Sequence, residues 1–369
     1  MSSGDKPAQK KTILYRMVYD ELKHKILERV YADGEKLPFE RELCEEYKVD
    51  RITVRRALDL LVADNLLEKR AGLGSFVKSP ILGMHMQPSK SRNILFVMSE
   101  NENDINNNPL AFNSQLFHAI EQECRVNGYS IFYAVLDGQS SMQSLINGND
   151  FAGVLFVSYI PKHLLEQCVQ MKLPAVCLNN RCDSLISIVP EDERGAYEAV
   201  KFLQEKGHRK IAIMMGAREY YSTKERFRGY CAAMFDMALN IDPRYSLEGD
   251  WTFDCARKSI FKMLDTVPEA DYPTAIFCCS DMMAIGTIDA LKERGVSVPR
   301  EISVMGFDNI QQSEYVYPRL STVSIDVKLM AELAVDKIIN HSQEAPPRGY
   351  LLLIPALLEI RQSVGEINQ

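Results

Sequence analysis

The sequence of residues 50–61 is DRITVRRALDLL, which has the periodicity of a short amphipathic helix. Asp50 is a favourable N-cap for this helix. Arg51 and Arg55 are four residues apart and share one face, with Arg56 beside them. A buried stripe with arginines near the N-terminal end suits the DNA major groove, although a solvated surface helix has the same pattern. The apolar positions that we expect to face a core are Val54, Ala57, Leu58 and Leu61.

The flanking sequence favours DNA binding over a solvated helix. Residues 33–43 (DGEKLPFEREL) contain an Asp-Gly turn and then a proline where a helix could begin. Residues 47–50 form a short break between two predicted helices, as in a helix-turn-helix. Residues 66–78 (LLEKRAGLGSFVK) predict a β-hairpin wing that carries Lys69 and Arg70. This order of elements is more specific than any one of the motifs.

Three segments within about residues 12–78 closely resemble the GntR-type winged helix-turn-helix. They are LPFEREL (37–43), VDRITVRRAL (49–58) and GLGSFV (72–77). The resemblance implies that the arginines contact phosphates and bases and that the wing enters the minor groove. The chain departs from the family at Phe39, usually a small residue, and at Leu73, where a polar or basic residue is common. The resemblance and the adjoining basic positions assign to DNA the residues Arg41, Arg51, Thr53, Arg55, Arg56, Lys69, Arg70, Gly72 and Gly74.

Charge is distributed unevenly along the 369 residues. The net charge is −7, but residues 1–80 carry 16 Lys and Arg against 14 Asp and Glu, a net +2 that leaves −9 for the rest. Only the front of the chain can therefore approach a polyanion without general repulsion. The 46% hydrophobic and 25% charged composition is ordinary for a globular protein, and the length allows two or three domains.

The cysteine and terminal patterns favour a cytoplasmic location. The first eleven residues are polar and precede no apolar segment of a signal peptide, and no run approaches the length of a membrane span. The nine cysteines are odd in number and have no Cys-x-x-Cys spacing, which predicts reduced thiols. With six scattered histidines, no pair has ligand spacing, so we expect neither a metal site nor a cofactor.

A change of pattern predicts the domain boundaries. Residues 1–78 form the predicted DNA-binding domain and residues 79–91, rich in serine and proline, a linker. Residues 92–369 alternate short apolar runs with helical segments, which predicts two α/β lobes with doubly wound parallel sheets and a ligand cleft at the strand ends. The predicted strands are 94–98, 131–135, 154–157, 175–178, 211–215, 275–279 and 303–306. The clearest helices are 112–127, 197–206, 222–239, 282–294 and 328–340.

The second half also has a specific resemblance. The segments that carry it are GHRKIA (207–212), STKERFRGY (222–230), SDMMAIG (280–286), ISVMGFDN (302–309) and YPRLSTV (317–323). They look like the effector-binding core of LacI-type regulators, which has the fold of periplasmic sugar-binding proteins, and the match runs from about 92 to 362. A GntR-type reader joined to this core is the arrangement of arabinose-repressor-like regulators.

The resemblance implies a set of effector-binding residues. A forked guanidinium, a carboxylate and an aromatic ring together suit a neutral polyol that has an apolar C–H face. The polar loop at residues 101–109 is expected to add contacts, and a tyrosine pair at 220 and 221 is taken as ordinary surface. The residues assigned to the effector are Asn179, Arg226, Trp251 and Asp308, with Ser280 or Asp281, after the strand 275–279, as a further polar contact.

Structural roles are open for three of these residues. Asp308 could cap a helix that begins near Gln311. Trp251 could be ordinary core. Arg226, between Glu225 and Arg228, could be part of a surface ion pair.

The function we predict is a cytoplasmic, ligand-controlled transcription regulator that binds operator DNA as a homodimer. It is expected to be a repressor of carbohydrate-utilisation genes that a monosaccharide releases, with a nucleoside or other polar effector, or ligand-dependent activation, as alternatives. Sugar hydrolysis by Asp281 and Asp308 is the enzyme alternative, and no catalytic motif supports it. A transport binding protein shares the lobe fold, but it needs export and no DNA reader.

Overall fold

A computed structural model gives the structure of most of the chain. The described residues are 15–19, 21–23, 25–26, 30–31, 34–63, 66–70, 74–77, 91–99, 110–137, 140–340 and 349–367. The chain divides into two compact units, Met1–Lys90 and Ser91–Gln369. The linker predicted at 79–91 lies outside the described residues except for Ser91, and so does the polar loop predicted at 101–109.

The first unit has two helices and a hairpin in the predicted order. The helices are Glu40–Tyr47 and Arg51–Ala63, and the antiparallel strands are Leu67–Arg70 and Gly74–Val77. Residues 15–19, 21–23 and 25–26 are also helical. The predicted stripe of the second helix is buried in one apolar cluster with residues of all these elements. Its members from that helix are Val54, Ala57, Leu58 and Leu61.

Local hydrogen bonds fix where both helices begin. The N–H of Thr53 donates to Oδ1 of Asp50 at 2.7 Å, which confirms Asp50 as the predicted N-cap. Phe39 precedes the first helix and has no side-chain acceptor, but its N–H donates to the Glu42 carboxylate at 2.7 Å. Glu42 therefore supplies half of a capping box where the usual small residue is missing.

The second unit begins with a six-stranded parallel sheet, which forms the first lobe. Its strands in spatial order are Leu351–Ile354, Ile186–Pro190, Ala175–Leu178, Gly153–Val157, Asn93–Ser99 and Ser130–Leu136. The helices that accompany them are Leu110–Val126, Met142–Ile146, Lys162–Gln170 and Val327–Ile339.

A four-stranded parallel sheet forms the second lobe. Its strands in spatial order are Ser303–Met305, Ala275–Cys278, Ile211–Met215 and Ser246–Glu248. Its helices are Asp192–Glu205, Tyr221–Asp236, Phe253–Thr266 and Asp281–Glu293. An antiparallel pair, Thr322–Ile325 with Ala356–Glu359, packs against the helix Asp192–Glu205.

The chain passes between the lobes three times. It leaves the first sheet after Pro190, returns between Ile325 and Val327, and leaves again after Ile354. Three short connections side by side allow the lobes to rotate about them without disturbing either sheet. Within the described part of the chain, no helix combines the length and apolar character needed to cross a bilayer.

Candidate functional site

The arginine face of the first unit is organised by one carboxylate. Glu40 accepts a hydrogen bond from Nε of Arg51 at 2.7 Å and from Nε of Arg55 at 3.2 Å. The hydrogen bond from Arg51 holds the pKa of Glu40 below its ordinary value. Both contacts are made through Nε, so one carboxylate holds both guanidinium groups. The pair is a ready donor surface for phosphates or base edges.

The other basic candidates also hold their charge at the surface. The guanidinium of Arg56 lies 4.6 Å from the ring centroid of Tyr15, and that of Arg70 lies 4.6 Å from the ring of Phe76. Each aromatic ring restricts the arginine beside it without neutralising it. Besides Arg51 and Arg55, the exposed candidates that have a carboxylate partner among the described residues are Arg41, Lys69 and Arg70.

Thr53 and the wing glycines differ from the exposed basic residues among the predicted DNA contacts. Thr53 is only 5% exposed and its N–H is used in the cap of the helix, so it presents much less surface than the arginines around it. Gly74 opens the second hairpin strand with a φ of +116°, a conformation that glycine adopts readily. Gly72 and Leu73, at the turn of the wing, lie outside the described residues.

A cleft between the lobes of the second unit has about 700 Å³ of atom-free space that is partly open to solvent. It lies beyond the carboxyl ends of strands from both sheets, as the parallel topology predicts. The predicted effector residues that line it are Asn179, Arg226, Trp251, Ser280 and Asp308.

Arg226 is one of the residues that line the cleft, and it is 1% exposed. Its Nε donates to Oδ1 of Asp192 at 2.7 Å, and its Nη1 donates to Oδ1 of Asp308 at 3.1 Å and to the carbonyl oxygen of Cys279. The ring of Phe307 stacks on it, 3.7 Å from centroid to guanidinium carbon. Burial opposes the charge, but the two carboxylates raise the pKa of Arg226 above its ordinary value.

Arg226 is therefore not part of a surface ion pair. The surface pair is formed by Arg228 and Glu225, three residues apart on the same helix. Arg226 instead joins the second-lobe strand ends to Asp192, the first residue of the helix after the first crossing between lobes.

Asp308 and Asp281 have different roles, which corrects the sequence assignment. Burial raises the pKa of Asp308, and the Arg226 beside it opposes that shift. Asp308 faces the cleft from a backbone at φ +111°. Asp281 is fully buried and does not line the cleft. Its Oδ2 accepts from Ile310 N–H at 2.9 Å and Ser313 Oγ at 2.6 Å.

The other oxygen of Asp281, Oδ1, accepts a hydrogen bond from the hydroxyl of Thr322. The carboxylate therefore links the segment that follows the strand Ser303–Met305 to the first residue of the helix Asp281–Glu293. Because Asp281, not Asp308, accepts from the Ile310 N–H ahead of the short helix Gln311–Glu314, the capping alternative for Asp308 fails. Ser280 lines the cleft and caps the helix that follows, with Oγ accepting from Met283 N–H at 3.3 Å.

Three polar atoms of the cleft residues are buried without a hydrogen-bond partner among the described residues. They are Nε1 of Trp251, Oδ1 of Asn179 and Oδ1 of Asn113. Trp251 and Asn179 also have left-handed backbones, with φ of +61° and +54°. Unpaired buried polar atoms and strained backbones concentrate at ligand sites, because the site is organised for its ligand and not for itself.

Trp251 is positioned by its neighbours. A Cβ on Gly216 would come within 2.1 Å of the indole. Only glycine therefore fits at this position, which directly follows the strand Ile211–Met215. The edge of Tyr220 meets the indole at 5.7 Å between centroids, and Tyr159 lies 5.9 Å from Tyr220. Trp251 is therefore a packed wall of the cleft, not ordinary core.

Sequence reasoning missed several residues of the cleft. Ser158 and Tyr159 directly follow the strand Gly153–Val157, and this position at a strand end could have identified them. Tyr220, taken as surface, is 9% exposed and lines the cleft. Asn113 lies in a helix, where nothing in the local pattern separates it from a solvated residue. The apolar lining residues missed include Met98, Phe112 and Met282.

A winged helix-turn-helix with a two-lobed, ligand-binding α/β core defines a ligand-responsive DNA-binding regulator. Comparison with known proteins supports this class in both units. Residues 14–77 match the profile of bacterial regulatory proteins of the gntR family. Residues 200–364 match the periplasmic binding protein-like domain.

Among curated relatives, the HTH-type transcriptional repressor PurR of Aliivibrio fischeri (strain MJ11) is 31% identical over 244 residues, covering 63% of this chain and 71% of the relative. The ribose operon repressor of Haemophilus influenzae is 27% identical, covering 71% and 79%. A solved CelR–cellobiose complex has a TM-score of 0.65 at 22% identity, covering 85% of this chain and 90% of that one.

The chain belongs to the LacI-type transcriptional repressors, with a DNA-binding domain of the gntR family at its front. It is a ligand-responsive repressor.

Proposed function

We propose that the cleft of this repressor binds a neutral monosaccharide and that binding releases operator DNA. The observation that carries the proposal is the set of three buried atoms on Asn113, Asn179 and Trp251 that have no hydrogen-bond partner within the described part of the chain. An unsatisfied buried polar group costs about 1–3 kcal/mol, so hydroxyl groups that pair with all three gain a substantial advantage. The indole Nε1 donates and the two amide oxygens accept, a mixture that sugar hydroxyls match because each can do both.

The rest of the cleft suits the same ligand. Arg226 and Asp308 place a cation and a carboxylate next to each other, which together read neighbouring hydroxyls without favouring a charged ligand. Trp251 and Phe112 supply apolar surface for the C–H face of the ring. The CelR structure contains cellobiose and the H. influenzae relative is named for a ribose operon, which supports the sugar class.

A nucleoside is the second candidate, and the aromatic residues favour it. Tyr159, Tyr220 and Trp251 form a chain of ring contacts at 5.9 and 5.7 Å along one side of the cleft. A nucleobase could stack on this side while its ribose meets Arg226 and Asp308.

The DNA-binding surface is the second part of the proposal. The arginines held by Glu40 enter the major groove, and the hairpin wing contacts the flanking groove and backbone. A homodimer presents two such units to two half-sites, and ligand closure of the lobes changes their spacing. The residues that we propose contact DNA are Arg41, Arg51, Thr53, Arg55, Arg56, Lys69, Arg70, Gly72 and Gly74.

Ligand screening against the purified full chain tests the proposal. We expect one or a few pentoses or hexoses to raise the melting temperature, because a ligand that binds only the folded state stabilises it. The same compounds should weaken binding to promoter DNA. Stabilisation by nucleosides alone favours the second candidate, and stronger DNA binding with ligand favours the activator alternative. Turnover of the sugar, or no response to any of these compounds, contradicts a sugar-releasing repressor.

A further inference from the structure

Cys177 and Cys182 are adjacent in space at the loop that carries Asn179. Cys177 lies on the strand Ala175–Leu178 and is in register with Ser187 on the neighbouring parallel strand. Register partners on adjacent strands point to the same face, about 5 Å apart. Oγ of Ser187 accepts from the N–H of Cys182 at 2.9 Å. Cys182 is therefore anchored next to Cys177 through the shared serine.

The surroundings of the two thiols are unequal. Cys177 is 1% exposed within an apolar cluster that also contains Cys168, whereas Cys182 is half-buried at the edge of that cluster. Cys182 packs against this same cluster, and its carbonyl oxygen accepts a hydrogen bond from Oγ of Ser187 at 3.3 Å. Cys182 is thus partly accessible to solvent, whereas Cys177 is shielded.

Hydrogen bonds to the Cys182 sulfur favour its thiolate form. The hydrogen bond from Cys177, followed by those from Ser184 and Leu185, lowers the pKa of Cys182 to about 6, although burial and Asp183 oppose the shift. The same hydrogen bond and burial raise the pKa of Cys177 well above its ordinary value. Asp183 has a partner of its own, Arg181, at 3.4 Å. A partly exposed thiolate beside a second thiol is the arrangement of a reactive cysteine with a resolving cysteine.

We propose that Cys182 is a modification site that hydroperoxides oxidise, and that Cys177 then reacts with the oxidised Cys182 to form a disulfide. The Cys182 thiolate attacks a peroxide oxygen, so that an S–O bond forms, the O–O bond breaks, and the leaving oxyanion takes a proton from water. The Cys177 sulfur then attacks the Cys182 sulfur. The S–S bond forms, the S–O bond breaks, and hydroxide leaves as water with the Cys177 proton. The two sulfurs lose two electrons and one hydroperoxide gains them.

The disulfide would close a ring around the segment 177–182, and that segment contains Asn179. Asn179 lines the cleft, and its N–H donates to the carbonyl oxygen of Ile188 at 3.0 Å. The disulfide would join residues on the two sides of Asn179, and it would therefore restrict the backbone that places Asn179 in the cleft. The modification site itself does not depend on which effector the cleft binds.

Alkylation of the reduced full chain tests the reactive thiol. With limiting iodoacetamide at pH 7, we expect Cys182 to react on the order of tenfold faster than Cys231 and Cys255, which are also half-buried. The rate at Cys182 should rise with pH through an inflection near 6. Equal rates at the three cysteines overturn the proposal.

Peptide mapping after one equivalent of hydrogen peroxide tests the resolving step. We expect a dithiothreitol-reversible bond between Cys177 and Cys182. In Cys177→Ser, a dimedone adduct should accumulate on Cys182, and in Cys182→Ser neither product should form. If Cys177→Ser does not fold, the wild-type map still decides. Peroxide consumption that is unchanged in Cys182→Ser, or a disulfide between other cysteines, contradicts the assignment.

Discussion

Arg226 has a structural role in the fold and also lines the cleft that we propose binds the ligand. Its guanidinium is buried between Asp192 and Asp308 and stacked on Phe307, so its position is fixed before a ligand arrives. Pre-organised donors of this kind cost a ligand little to engage. Asp192 belongs to the helix after the first crossing between lobes, so the ligand wall and the hinge share one hydrogen-bond network.

Replacing Arg226 should abolish the ligand response. Arg226→Ala removes the forked donor and leaves two buried carboxylates without a partner, which costs about 3–5 kcal/mol of stability. We therefore pair it with Asn179→Ala, which removes a cleft oxygen that has no partner among the described residues and costs only about 1–2 kcal/mol for alanine in a left-handed backbone. Both variants should lose the ligand-induced shift in melting temperature and keep DNA binding. Arg228→Ala, on the exposed side of the same helix, is the control and should respond normally.

Asp281 predicts a pH dependence of stability. Burial raises its pKa from the ordinary 3.8 to about 6, so the folded chain binds this proton more tightly than the unfolded chain. Stability from this group is present below the unfolded pKa and is lost as the pH rises through about 6, by up to about 3 kcal/mol. Urea unfolding of the wild type and Asp281→Asn between pH 4 and 7 measures it. An unchanged pH slope in Asp281→Asn contradicts the assignment.

Arg55 tests the DNA-binding face at one residue. Arg55→Ala should weaken operator binding by about 1–3 kcal/mol, the usual value of a bidentate base contact, with a smaller effect on random DNA. Arg125→Ala is the control, because Arg125 is an exposed, ion-paired arginine on a helix of the second unit. Fluorescence anisotropy with both DNAs measures the difference. Operator affinity equal to wild type rejects the face Arg51–Arg55 as the reader.

At the scale of elements, the sequence predicted those whose pattern is local. All seven predicted strands are present with ends within one residue, because each is a short, continuous apolar run. The helix predicted at 197–206 begins five residues earlier, at Asp192, because its first turn is charged and carries no apolar period. The strands Leu351–Ile354 and Ala356–Glu359 were not assigned, since a single apolar run supplies both and only the fold sends them to different lobes.

The cleft was predicted only in part, because it depends on contacts between residues that are far apart in the sequence. Arg226 and Asp308 follow from motifs, but the hydrogen bonds of Arg226 join it to Asp192, 34 positions away, and to Asp308, 82 positions away. Asp281 was misassigned because its neighbour Ser280 faces the cleft while Asp281 itself points to Ile310 and Ser313. Adjacent residues at a strand end face opposite ways, and the sequence does not say which one faces the ligand.

The end of the strand Ile211–Met215 carries an element-scale prediction. Gly216→Ala adds a Cβ that would lie 2.1 Å from the Trp251 ring, so the indole must move away from the cleft wall. We expect weaker ligand binding and a shift in the emission of Trp251, the single tryptophan, with DNA binding retained. Titration followed by intrinsic fluorescence measures both changes. Ligand affinity and emission equal to wild type would show that Trp251 is not part of the site.

At the scale of the whole molecule, the distribution of charge concerns DNA binding and the chain topology concerns movement of the lobes. The front of the chain carries a net +2 and the rest −9, which agrees with the proposal that the winged unit contacts DNA through the arginines held by Glu40. Three connections between the lobes of the second unit let a ligand change their angle without unfolding either sheet. The composition and the two resemblances predicted this plan, whereas the effector's identity depends on side chains brought together by folding.

The most direct test of the account is the affinity of the full chain for promoter DNA, titrated with a stabilising ligand. We predict tight binding without ligand, a loss of affinity that follows occupancy of the cleft, no loss in Asn179→Ala, and weak binding throughout in Arg55→Ala. A chain that binds ligand with its affinity for DNA unchanged, or that has no affinity for DNA at low ionic strength, contradicts the account.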